Sequence, residues 1–463
     1  MMNFRFAFVA LFVMACALFS QPPVLAPGGP TDRPDPREIP VPEIRPSGAG
    51  ANLLPTFPDV GSLPVRPDLP PVLVMNDGTP VTTAAQWRKR REEMKAILSF
   101  YAVGRAPPAP GNVAARPISS LELAKGRVPY RLMRLTFGPA EKKLSLEIAV
   151  FTPAEGGPFP AIILQGGPTP GARVLPRLPL GPTQGKGADV LLIAGHPPVR
   201  PAAPSGRIEP APAAGGFFAA LTPAAAAERY RDVLERGFAL IMVNPNDCAE
   251  DTTVREADGT FSFRTTRFAP AYPGYDWGIL GIWAWGVSRV ADYLETDPAI
   301  DHSRLAVVTG ASRYGKASLI AAAFDERLLG APVVTGGGGI GAYRFAGDNH
   351  SETLDVMMKK YPNWFSPHLH EFWGRRQMLP FDQHWFLALC APRPFIALEG
   401  IADVISSPEA VRQSIAAARP VYQLLGARDR LAVNYAHHAH AFTGDDWRAL
   451  LDFAARQNLP VSN

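Results

Sequence analysis

Three side chains have the types and the chain order for acyl transfer: Ser312, Asp403 and His440, within 463 residues. A hydroxyl can attack a carbonyl if a base removes its proton. An imidazole can be that base, and a carboxylate can hold the imidazole in the useful tautomer. Ser312 lies in Leu305-Ala-Val-Val-Thr-Gly310-Ala-Ser312-Arg313-Tyr-Gly315-Lys316, an apolar run followed by a turn and an alanine-rich segment. Strand, sharp turn and helix are the setting of a nucleophile elbow, where the next N–H helps hold the developing oxyanion. The match to G-x-S-x-G is imperfect, because Gly315 falls one position late. A helix-capping serine is the ordinary alternative. A phosphate-binding loop is another, since Gly310, Gly315 and Lys316 fit G-x-x-x-x-G-K-[ST], but Ala317 stands where the hydroxyl that holds magnesium is required. Asp403 and His440 favour the elbow. Each follows a later expected strand, in the order serine, acid, histidine found in α/β-hydrolases.

The elements needed to position these groups are legible as alternating strands and helices. Strands are expected over 144–151, 159–164, 239–243, 305–309, 331–335, 394–398 and 431–435. Helices are expected over 84–100, 224–236, 277–294, 316–324, 408–425 and 445–457. Short aliphatic strands alternating with helices predict an α/β fold: an α/β-hydrolase three-layer sandwich, with a mostly parallel sheet and helices on both faces. In the first helix, Trp87, Met94, Ile97 and Leu98 form the buried face and the basic run 88–91 is expected to be mostly solvated. Trp277, Trp283 and Trp285 read as core.

Composition limits the other readings. Apolar residues make up 47% and charged residues 19%, which excludes a wholly disordered chain. The net charge is +4, with Lys and Arg scattered, so nothing in the charge pattern argues for nucleic acid. No zinc-type cysteine spacing occurs among Cys16, Cys248 and Cys390, and the histidines at 368, 370, 437, 438 and 440 come without an HExxH pattern. No metal and no cofactor are expected. Arg5 and the uncharged stretch Phe6–Phe19 predict a signal peptide over 1–20, hence a secreted or periplasmic protein. Acylation at Cys16 is a lipoprotein alternative that Met14 fits poorly. The 50 prolines concentrate in a linker, 21–68, and in an insertion, 197–223, within a catalytic body spanning 69–463. The insertion is expected to shape the substrate-facing rim, and the chain to act as a monomer.

Several segments together resemble the glucuronoyl esterases, carbohydrate esterase family 15, and in particular bacterial members. They are Trp283–Asp292, the elbow Thr309–Lys316, Trp364-Phe365, Leu379–His384, Ala391–Pro394 and His438-Ala-His440. Asn76-Asp-Gly, Trp87, Arg90-Arg91 and Tyr101–Arg105 extend the resemblance, which runs from about Leu69 to the C-terminus. It implies an esterase that cleaves 4-O-methyl-glucuronoyl esters joining xylan to lignin alcohols. It further implies Ser312 as nucleophile, Arg313 as oxyanion support, Lys316 as a contact to sugar hydroxyls, His440 as base and Glu352 as a sugar-binding acid.

The departures from the family pattern are specific. Thr335 stands where many members carry the triad acid as glutamate, so the role is assigned to Asp403. Val404 and Ile405 replace a sugar-stacking tryptophan, for which Trp385 is the candidate substitute. Ala311 and Ala441 replace the cysteines that fungal members join, which leaves Cys248 and Cys390 as free thiols. His384 reads as a structural hydrogen-bonding group, and His437 and His438 as loop residues. Two other functions stay open at this level: an acetyl-xylan or other carbohydrate esterase on the same fold, and a non-catalytic carbohydrate-binding relative with a degenerate triad.

Overall fold

The computed structural model describes residues 57–173, 190–193, 221–251, 254–255, 261–264, 267–345 and 351–457, with the segments 190–193, 254–255 and 261–264 described by backbone alone. The expected signal peptide, most of the linker and nearly all of the insertion 197–223 lie outside the described residues.

Twelve strands are described: β1 Ala114–Leu123, β2 Val128–Phe137, β3 Leu144–Phe151, β4 Ala161–Gln165, β5 Val190–Ile193, β6 Ala239–Val243, β7 Val254–Arg255, β8 Phe261–Arg264, β9 Ala306–Ala311, β10 Leu328–Val333, β11 Phe395–Gly400 and β12 Leu431–Ala436. Nine of them form one sheet in the order β1-β2-β3-β6-β4-β9-β10-β11-β12, and β5-β8-β7 form a small second sheet. From β6 to β12 every pairing in the large sheet is parallel, whereas β1, β2 and β3 add an antiparallel edge.

The helices are α1 Ala84–Ile97, α2 Pro223–Arg229, α3 Arg231–Glu235, α4 Ile279–Leu294, α5 Arg313–Phe324, α6 Leu354–Lys360, α7 His384–Cys390, α8 Pro408–Leu424 and α9 Gly444–Gln457. Strand residues alternate between two cores. Ile163, Ile241 and Val308 join one, with α4, α5, α7 and α8. Leu164, Leu240 and Val307 join the other, with α2, α3 and α9. That period-two division of buried side chains is what a sheet covered on both faces requires. The expected α/β architecture is therefore the observed one.

The differences have local causes. The hairpin β1–β2 was not anticipated, because β1 is exposed along most of its length and carries no alternation to read. Helix α7 is buried at all seven residues, so it has no amphipathic period. The single helix expected over 224–236 is broken at Tyr230 into α2 and α3. Residues 57–68, assigned to the linker, pack on the body: Val60 is buried, Phe57 lies 5.0 Å from the Phe100 ring, and Arg66 N donates to Gln377 O at 2.7 Å. Arg90 is also buried rather than solvated. Its guanidinium donates to Asn76 and Glu93 and lies over Trp385, 4.7 Å from the ring centroid.

Past β10, the segment leading toward the site turns on a buried pair. Arg344 and Asp382 are 2.9 Å apart, with side chains at most 1% exposed. Arg344 also donates to the carbonyls of Phe381 and Leu379, and Asp382 accepts the N–H of Tyr343 and Gln383. Removing one partner of such a pair leaves an uncompensated charge. Arg344→Met should cost about 3–5 kcal/mol of stability, read as a lowered denaturant midpoint; a loss below ~1 kcal/mol would contradict the role given to this pair.

Candidate active site

Ser312 follows directly on β9 and precedes α5, with φ 56° and ψ −124°. A non-glycine residue at positive φ is strained, and the strain is held by its surroundings. Its N–H donates to Val333 O at 2.9 Å, its carbonyl accepts the Lys316 N–H at 2.9 Å, and its side chain makes no capping bond to the helix. The late glycine of the elbow also has a structural reason. A Cβ on Gly315 would sit 2.8 Å from Gly310 O and 2.9 Å from Val333 O, so this position lets the first turn of α5 lie against β10.

Asp403 and His440 follow the neighbouring parallel strands β11 and β12, whose register pairs Gly400 with Ala436. His440 Nδ1 lies 2.8 Å from Asp403 Oδ2. An ionised carboxylate only accepts, so Nδ1 carries the proton and Nε2 of the neutral ring keeps the lone pair a base needs. Oδ2 also accepts the Ser406 hydroxyl at 2.7 Å, and Oδ1 accepts the N–H of Ile405 at 3.0 Å and of Ser406 at 3.3 Å. Burial raises the Asp403 pKa, but the hydrogen bonds from His440 and Ser406 outweigh it and hold the carboxyl below the usual carboxylate range.

Arg313 pairs with Asp251 and lies over the Tyr361 and Trp364 rings, at 5.3 and 5.0 Å. Those two rings stack at 3.9 Å, and Trp364 Nε1 donates to Asp251 at 2.8 Å, so the guanidinium is fixed on three sides. Lys316 is fully buried, with Nζ 2.9 Å from Glu352 and 2.5 Å from Thr335 O. Desolvation pulls its pKa down, and Glu352 opposes that shift. The lysine and Glu352 thus belong to one charge pair. The pair is possible because the glycine run is bare: a Cβ on Gly336 would meet the Glu352 carboxylate, and one on Gly337 its main-chain oxygen.

Trp385 must be withdrawn as a sugar platform. It is 1% exposed and its Nε1 donates to Pro70 O at 3.1 Å, deep in the packing of α7. His384 also bonds to Pro70 O, at 2.8 Å, and burial lowers its pKa to about 4. His438 ties its loop to Asp446 at 3.1 Å, whereas His437 is exposed. Cys248 and Cys390 are free and buried. Among the described residues no three His, Cys, Asp or Glu side chains gather as a metal centre would require. Sequence reasoning missed Asp251, Tyr361, Ser406 and Glu399. Ser406 had a faint signal, three residues beyond Asp403, but the others meet the site only through the fold.

A mostly parallel sheet covered on both faces, with a strained serine between strand and helix, defines the α/β-hydrolase class. A family model described as fungal glucuronyl esterase matches residues 204–426. A carbohydrate esterase from an unknown prokaryotic organism is 26% identical over 410 residues, covering 83% of this chain and 88% of the relative. The 4-O-methyl-glucuronoyl methylesterase of Hypocrea jecorina is 26% identical over 422 residues, covering 89% and 74%. Among solved structures, a family 15 glucuronoyl esterase from Caldicellulosiruptor kristjansonii superposes with a TM-score of 0.63 at 28% identity, covering 86% of this chain and 92% of that one. A glucuronoyl esterase from Solibacter usitatus gives 0.64 at 24% identity, covering 86% and 99%, a likeness of fold. These likenesses support carbohydrate esterase family 15, the glucuronoyl esterases, and the chain is an esterase.

The glycine run yields a stability test. Gly337→Ala should destabilise by about 1–3 kcal/mol in denaturant unfolding as its Cβ displaces Glu352, whereas Gly61→Ala, with open space around it, should change little. Equal effects at the two positions would contradict the close approach assigned to Gly337.

Proposed function

We propose that this protein hydrolyses esters of glucuronic acid and its 4-O-methyl ether through an acyl-enzyme on Ser312. The observation that carries the reading is the 2.8 Å contact between His440 Nδ1 and Asp403, on the strand ends beside the elbow. His440 takes the proton as Ser312 attacks the ester carbon. The tetrahedral oxygen is held by the Arg313 N–H and its guanidinium, and the proton passes to the departing alcohol; water then repeats the sequence on the acyl-enzyme. Removing one such oxyanion donor typically slows acyl transfer by about 10²–10³.

Glu352 is assigned to the sugar, because its side chain keeps 12% exposure, whereas Lys316 at 0% is too buried for the expected contact to sugar hydroxyls and instead fixes the Glu352 carboxylate. The relatives named as 4-O-methyl-glucuronoyl methylesterases support the uronate, and the lignin–carbohydrate ester of glucuronoxylan is the natural polymer of that chemistry. Secretion, with the body acting as a monomer after a leader and a proline-rich tether, fits a polymeric substrate outside the cell. No helix among the described residues is long and apolar enough to cross a membrane.

Ser312→Ala should lower kcat/KM on a methyl glucuronate ester by at least about 10³-fold and abolish fluorophosphonate labelling. Undiminished turnover would end the proposal. Asp403→Asn should also lower kcat by roughly 10²-fold or more with little change in KM, because the wrong tautomer is then favoured. Faster hydrolysis of acetylated xylose than of the uronate ester would instead favour an acetyl esterase.

A further inference from the structure

Glu399, next to last in β11, is a carboxyl at the site that the triad does not use. It is wholly buried, and its Oε2 has no hydrogen-bond partner among the described residues. Its Oε1 accepts the Thr335 hydroxyl at 3.3 Å, and that hydroxyl oxygen accepts the Ile340 N–H at 3.0 Å. The titratable groups that face it are Asp403 beyond the end of its own strand, Lys316 from α5 and Tyr435 from β12. Lys316 does not serve as its counter-ion, because Nζ is engaged by Glu352 and the Thr335 carbonyl. Asp403 is a like charge and holds the donors: His440, Ser406 and two backbone N–H groups. Of two carboxyls buried so close, the one with the donors keeps the charge and the other keeps its proton. Burial first, and Asp403 second, push the Glu399 carboxyl up to about 8, against weaker opposing hydrogen bonds from Ser406 and Thr335.

We propose that Glu399, standing beside Asp403 as a neutral carboxylic acid braced on Thr335, is a positioning residue of the esterase: by keeping its proton it leaves Asp403 the single negative charge against His440. The proposal rests on the Ser312–His440–Asp403 reading above. It also gives threonine at 335 a purpose, since a hydroxyl can bond a neutral acid, whereas a glutamate there would crowd a third carboxyl into the same dry space.

The pH dependence has a definite sign. The fold favours the protonated acid, so its contribution to stability is full below the ordinary carboxylate range and is lost as pH climbs to about 8.

The test compares the full chain, Glu399→Gln and Glu399→Ala on a methyl glucuronate ester and in denaturant unfolding from pH 5 to 9. Glu399→Ala should lower kcat about tenfold with KM within about twofold, and Gln should restore most of it. Between pH 5 and 8 the unfolding constant of the wild type, relative to the Gln variant, should rise at least about tenfold. A Gln variant as slow as Ala, or a flat unfolding ratio, would overturn the proposal. A wild type without turnover sinks the functional reading and the positioning role together, whereas turnover without these effects sinks the positioning role alone.

Discussion

The site is organised around a negative charge that has been taken out of water. Asp403 is 1% exposed, and a buried carboxylate survives only where donors converge on it. Its donors come from three places: its own turn through the N–H of Ile405 and Ser406, the Ser406 hydroxyl, and His440 beyond the next strand. The same Ser406 oxygen accepts the Gly336 N–H at 2.9 Å, which ties the turn after β11 to the glycine run after β10. The charge on Asp403 thereby joins three consecutive strand ends, so the orientation of the imidazole follows from the register of the sheet rather than from loop packing alone.

The second constraint is a buried cation. Lys316 stands one turn into α5 because the elbow places it there, and its burial demands Glu352 and the Thr335 carbonyl as partners. Glu352 can reach it only across backbone without side chains at 336 and 337. Val334 adds strain at the same corner: a buried, β-branched residue with φ 38°, its N–H donating to Leu398 O at 2.8 Å. The positive charges of Arg313 and Lys316, one turn apart on the helix, both lie by the Trp364 ring, at 5.0 and 5.4 Å. One is braced by Asp251 and two stacked rings, the other by Glu352.

Much of this frame was legible in the chain. The runs 144–151 and 239–243 read as strands from their aliphatic content, and they are strands over the same residues. Helices α8 and α9 announced themselves by strong amphipathic periods, and the order of Ser312, Asp403 and His440 suggested the class of site. What stayed hidden depends on contacts between distant residues. Arg90 looked solvated because it sits in a basic run, yet Val72 O and the Asn76 side chain, which pack over the helix, accept from it beside Glu93 one turn along. Trp385 looked available because tryptophans stack on sugars, but burial overrides residue type. Glu399 was invisible for the opposite reason, since nothing local distinguishes a carboxyl that ends a strand beside another acid from one facing solvent.

Thr335, just past β10, brings a hydroxyl and not a carboxylate to Glu399, and the carboxylate that meets His440 Nδ1 is Asp403, at 2.8 Å. The most direct measurement is the low-field proton resonance of His440 Nδ1 in the neutral-pH enzyme, followed in Asp403→Asn. The account predicts a strongly downfield Nδ1 proton that is lost in that variant and retained in Glu399→Gln. A resonance that survives Asp403→Asn unchanged, or disappears in Glu399→Gln instead, would contradict it.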